Sequence, residues 1–273
     1  MNTEDHGPVQ APLPAPASGT GLIGLEPAAL VEFAALAQHM ERANGPVIRA
    51  MNRFGGAVEA RLRQLPAGAG LLMERAVAEA LERIYRLSGI VAGATALPTV
   101  GPAGFRLAAA TSGALGGAGG LATGIVELPA TVALYFAAMQ KIAAGHGHAP
   151  GSDETRARCI EIFGAGGPGS DDDGVDTSFI GARIALSGPA LQALIRRVAP
   201  GLAAALARKL ASQAVPVLGA ASGAAINLAY LDYYRHMAHV RFGLAALAER
   251  HGAERAEAAF REAVERQRRS KRA

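Results

Sequence analysis

The chain has 273 residues, enough for a sizeable core; half are hydrophobic, only 5% are aromatic and none is tryptophan. With 18% charged residues, a mean hydropathy of +0.19 and one cysteine, it is neither a disordered nor a disulfide-framed chain. The net charge of +4 gathers at the C-terminal end, which leaves no basic stripe on the body and excludes nucleic acid as a partner.

Residues 1–24 carry Pro8, Pro12, Pro14 and Pro16 and no basic-then-apolar leader, the composition of a disordered arm. With a single thiol, Cys159, set among apolar neighbours, the expected compartment is the cytoplasm, with the inner face of the cell membrane as the place of any lipid contact. Over 25–250 no period-2 block of strand length occurs, so the fold expected is all-α: a multi-helix bundle with no significant sheet. Pro27 opens a first helix, with Leu30, Phe33, Ala34, Ala37 and Met40 at three- and four-residue steps. A second helix is expected over 46–65. A third starts at Ala69, with Leu72 and Ala76 inward and the pairs Glu79–Arg83 and Glu82–Arg86 outward.

The middle of the chain changes character. Gly89/Gly93, Gly113/Gly117, Gly116/Gly120/Gly124 and Gly219/Gly223 stand four apart in stretches almost without charge. Glycine costs a helix about 1 kcal/mol relative to alanine, so such ladders imply close approach of another backbone, hence hairpin-like central helices. As membrane spans they are weak. Leu107, Leu115, Leu121, Ile125 and Val126 together supply roughly −1.5 to −3 kcal/mol, and Glu127 opposes them by a similar amount. Pro129 predicts that one helix ends or kinks and another begins, running to about Ala144 with Val132, Tyr135, Phe136 and Met139 as its packing face. Gly145–His148 ends it, and a short helix spans about 154–163. The acidic loop 164–176 divides the domain into halves, and 251–273 forms a charged helix with a basic tail. That tail carries Glu257–Arg261, Glu262–Arg266 and Glu265–Arg269 at helix-pairing spacing.

The run Gly116-Gly117-Ala118-Gly119-Gly120, the element Val126-Glu127-Leu128-Pro129, the helix around Arg156–Phe163, and the block from Lys209 through Gly219 and Gly223 to Asn227 resemble the EcsC protein family over roughly residues 26–250. The resemblance implies a helical bacterial protein, often membrane-associated and linked by name to a transporter operon. It implies no reaction and no agreed catalytic residues.

Three functions remain open. The first is a non-enzymatic helical protein that associates with a membrane or a membrane complex through its glycine-bearing helices. Its structural residues would be Gly116, Gly120, Gly124, Gly219, Gly223, Asn227 and Pro129, with Glu127 paired to Lys209 or Arg183 because an isolated buried carboxylate is expensive. The second is a soluble interaction module whose glycine faces are simply its core. The third is a metal-dependent hydrolase using Asp232, His236 and His239, which stand at i, i+4 and i+7 on one helix side. His146 and His148, at a helix end, are expected to be cations on terminal carbonyls. The Gly164–Gly169 run is not a nucleotide loop, since three aspartates follow it, and no motif calls for a cofactor.

Overall fold

The computed structural model describes residues 24–43, 45, 68–93, 101–164, 188–213 and 219–271. The proline-rich arm, the helix expected over 46–65, the acidic loop beyond Gly164 and Arg183 lie outside the described residues. Seven helices occur among them: α1 (Pro27–Ala43), α2 (Ala69–Gly93), α3 (Pro102–Gly145), α4 (Asp153–Gly164), α5 (Gly188–Gln213), α6 (Gly219–His251) and α7 (Ala253–Ser270). The described residues contain no strand, and the chain is an all-α bundle.

α3 is one helical run but not one straight rod. Ser112 Oγ and Thr131 Oγ1 lie 3.3 Å apart, whereas the 19 residues between them would span about 28 Å of straight helix. Asn227 likewise bonds both Ala109 and Tyr135. The run therefore doubles back between residues 112 and 131. The end or kink expected near Pro129 takes the form of a reversal within one helical run, between residues 112 and 131, and Pro129 itself is exposed.

The arms of this hairpin pack on α6, the central helix. Ile226, Tyr230, Leu231, Tyr234, Met237, Ala238, Val240, Phe242 and Leu244 are all buried, so the middle of α6 is covered on most sides, with its polar residues confined to particular junctions. The second arm contributes the expected face: Val132, Tyr135, Phe136 and Met139 are at most 2% exposed. α1 and α7 pack on α6 and on each other, while α2, α4 and α5 form a second group that reaches the central pair through α3 and, from α4 and α5, through α6 directly. α1 buries Ala29, Phe33, Leu36, Ala37 and Met40, a stripe turned slightly from the expected one, since Ala34 is exposed. In α2 the expected inward residues are outside: Leu72 is 67% exposed, and Val77, Leu81 and Tyr85 form the buried face. The outward pairs Glu79–Arg83 and Glu82–Arg86 are present.

Two short devices fix chain direction. Gly252, at φ +87°, turns the chain from α6 into α7, which buries Ala256, Ala259, Phe260 and Val264. Ser152 caps α4, its hydroxyl accepting the Thr155 N–H at 3.2 Å. α4 in turn ties down α2: Tyr85 donates to Asp153 at 3.1 Å, and Arg156 lies over the Tyr85 ring at 4.2 Å while donating to the Tyr85 carbonyl. Cys159 is buried, and burial pushes its thiol pKa up, as an inert thiol requires.

Candidate functional site

Two polar constellations lie along α6. The first is the seam with α3. A Cβ built on Gly113 would come within 2.8 Å of Asn227 Cβ and of the Gly223 carbonyl carbon, and closer still to the Gly223 oxygen. Only a residue without a side chain fits there, so the two backbones touch at Gly113 and Gly223. One turn further on, Asn227 is fully buried. Its amide donates to the Ala109 carbonyl at 3.1 Å, and Tyr135 donates to its side-chain oxygen at 3.2 Å. A buried amide left without partners would cost roughly 1–3 kcal/mol, so this placement specifies the register of both hairpin arms against α6.

The second constellation joins α1, the end of α3 and the middle of α6. Gly147, at φ +86°, lets the chain leave α3, and the His148 N–H closes on the Ala143 carbonyl at 3.0 Å in a six-to-one capping bond. That turn brings His146 to α6, where its Nε2 lies 3.1 Å from His239 Nδ1. On the other side His39 of α1 faces His236, Nδ1 to Nδ1, at 2.8 Å. The His39 and His239 rings stack with centroids 4.2 Å apart, so the four imidazoles form one continuous junction. Each nitrogen pair needs one ring to hold the proton and donate while the other accepts.

Burial lowers the pKa of all four rings, most for His236, to about 4, and for His239, to about 3; neighbouring rings and arginines add to the effect. The rings are therefore neutral at physiological pH. This corrects the expectation for His146, whose ring is no cation on a helix terminus: backbone N–H groups satisfy the end of α3. His148 Nε2 instead lies 3.1 Å from the Phe242 carbonyl of α6. Three clefts border the junction. The largest, about 730 Å³, is lined by Arg42, Arg106, Asp232, His236 and Lys271 among others; one of about 520 Å³ meets His39 and His146, and one of about 300 Å³ meets His146 and His239.

Asp232, His236 and His239 occupy one side of α6, but their chemistry diverges. Arg106 donates to Asp232 at 2.6 Å and Arg235 approaches it at 3.5 Å, so the carboxylate is committed to guanidinium groups. The two histidines turn to His39 and His146. Among the described residues no group of three or more His, Cys, Asp or Glu side chains could hold a metal ion. Of the other sequence candidates, Gly223 and Asn227 meet in the seam. Gly116, Gly120, Gly124, Glu127, Lys209 and Gly219 belong to helices, but their side-chain surroundings lie outside the described residues. His39 is the residue that sequence reasoning missed. It follows Leu36 and Ala37 and precedes Met40 on the buried stripe of α1, a signal for partial burial but not for a partner 197 residues away.

The family model described as "EcsC protein family" matches residues 103–244, just over half of the 273. The chain belongs to the EcsC family. The match is shorter than the stretch read from the sequence. It contains the Gly113–Gly223 seam, Asn227, Tyr135 and three of the four junction histidines, whereas His39 lies outside it. No curated protein and no solved structure matches this EcsC chain.

Proposed function

We propose that this EcsC protein is a non-enzymatic helical protein that docks peripherally on a membrane surface through the outer face of the α3 hairpin. The observation that carries the proposal is the exposure of Leu107 and Leu115, 67% and 74%, on an arm whose opposite face, Phe105, Ala109 and Gly113, is buried. Thr111 stands between the two leucines and donates its hydroxyl to the Leu107 and Ala108 carbonyls, so the hydroxyl needs no outside partner. Among the described residues no helix is long and apolar enough to cross a membrane, which favours docking over spanning. The basic tail adds little. Arg261, Arg266 and Arg269 pair with Glu257, Glu262 and Glu265, and Lys271 pairs with Glu41 of α1.

Flotation with zwitterionic and anionic vesicles tests this. The expected result is binding to both, insensitive to high salt. The double variant Leu107→Glu/Leu115→Glu should lose it at least tenfold, since each buried leucine is worth about 1.5–3 kcal/mol. Protein that never floats would leave the second reading, an interaction module, which the use of Gly113 and Gly223 inside the bundle supports. The hydrolase reading draws least support, because Asp232 is bound to Arg106 and the histidines to one another.

A further inference from the structure

We propose that the junction of His39, His146, His236 and His239 is an acid-operated latch that holds α1 on α6 while its rings are neutral and releases α1 when both rings of the His39–His236 pair are protonated. The geometry sets the rule. At 2.8 Å and 3.1 Å each neutral pair already shares one proton. A first added proton goes to the far nitrogen of the donating ring and leaves that bond intact, but a second, on the accepting ring, leaves two donors facing each other with no acceptor. The stacked rings of His39 and His239 join the pairs, so charge on one opposes charge on the other.

The surroundings offer little compensation: Glu32 favours charge on His146 and Asp232 favours it on His236, but arginines already hold both carboxylates. From α1, Arg42 adds positive charge, and Glu32 is held by Arg250, which donates to it at 3.1 Å. From α6, Arg235 adds positive charge, while Asp232 is committed to Arg106 of α3 and to Arg235 itself. Lys141 and Arg235 line the cleft that His146 and His239 share, and Lys271, just beyond α7 and paired with Glu41, lines the one at His236. His148, two residues beyond His146, faces the Phe242 carbonyl and opposes charge on His146. Of the carboxylates that line these clefts, Glu32, Glu41 and Asp232 are already paired with Arg250, Lys271 and Arg106, and Glu249 lines the cleft at His39 and His146.

Opening uncovers Phe33, Leu36 and Met40, the buried stripe of α1, so acid converts a covered face into an exposed one. The Glu32–Arg250 and Glu41–Lys271 pairs resist opening. They remain while both carboxyls stay ionised, and the Arg250 hydrogen bond holds Glu32 below its usual range.

Hydrogen exchange of the full chain, followed by mass spectrometry from pH 7.5 to 4 and corrected for the intrinsic rate, tests the latch. The expected result is that amides of α1 lose protection at least tenfold per pH unit below about pH 5.5, while those of residues 132–139 and 226–240 keep theirs. The variants His236→Gln and His239→Gln, which cannot take up a proton, should each shift the loss to lower pH. Loss of protection in α1, α3 and α6 together, in the wild type and in the variants, would overturn the latch. So would an α1 whose protection is independent of pH.

Discussion

α6 meets its two principal neighbours by opposite means. Against α3 it presents a backbone, at Gly223, and a buried amide, Asn227, whose bonds run to uncharged groups; among the described residues this seam contains nothing that titrates near neutrality. Against α1 and the turn that ends α3 it presents half-buried imidazoles, which burial and neighbouring cations keep neutral further into acid than an ordinary ring. One helix thus carries a spine fixed by shape and a junction fixed by protonation state. The first tolerates changes of solution conditions but not of volume. The second tolerates small changes of volume but not of charge: a Cβ on Gly243 would meet the flexible end of Leu36 at 2.7 Å and the His146 ring at 3.0 Å, not backbone.

The contrast can be broken in three places, beginning with the largest effect. Asn227→Leu should cost about 3 kcal/mol, because Tyr135 and the Ala109 carbonyl lose a partner and a branched side chain enters the tightest part of the seam. A thermal midpoint within about 2 °C of wild type would show that the amide does not set the register. Next comes acid. Since folding lowers the pKa values of His236 and His239 below the ordinary 6.5, the unfolded chain binds protons first as pH falls. Stability is full above about pH 6.5 and declines below it, until each ring reaches its folded value of about 4 or about 3. Between pH 7.5 and 5.5 the loss should be about 2 kcal/mol after allowance for solvent screening of half-buried rings, and His236→Gln should remove part of it. Denaturant unfolding at both pH values measures this directly, and equal stabilities would contradict it. The smallest effect is expected at Arg106→Gln, because its pair with Asp232 is largely exposed and is worth about 0.5 kcal/mol or less. A larger loss would mean that the pair belongs to the seam.

What the sequence made legible was local. The all-α class, the start of α1, the short α4, the face Val132–Met139 and the ion pairs four residues apart follow from helical periodicity and spacing, and each is present. The glycine ladders announced close approach, and Gly113 with Gly223 is where the described backbones make it. The phase of a stripe was harder to read. α2 carries apolar residues on more than one side, so periodicity favoured Leu72 and Ala76, while packing against α5 chose Val77 and Leu81. The histidine junction was half legible: His236 and His239 declared themselves by their spacing on α6. Their partners His39 and His146 come from elements 197 and 93 residues away, and nothing local encodes such meetings. Asp232 drew attention as a ligand because Arg106, its true partner, is 126 residues distant.

Direct contact between the backbones of α3 and α6 supports everything else in the bundle, and two alanine substitutions within α3 test it. A Cβ at Gly113 would strike the Gly223 carbonyl, whereas one at Gly145 would meet nothing within 4 Å. Thermal unfolding of the pair should therefore split in sign: Gly113→Ala about 2–3 kcal/mol less stable than wild type, and Gly145→Ala unchanged or up to about 1 kcal/mol more stable through helix propensity. Equal midpoints for the two variants would mean that the helices do not touch at Gly113.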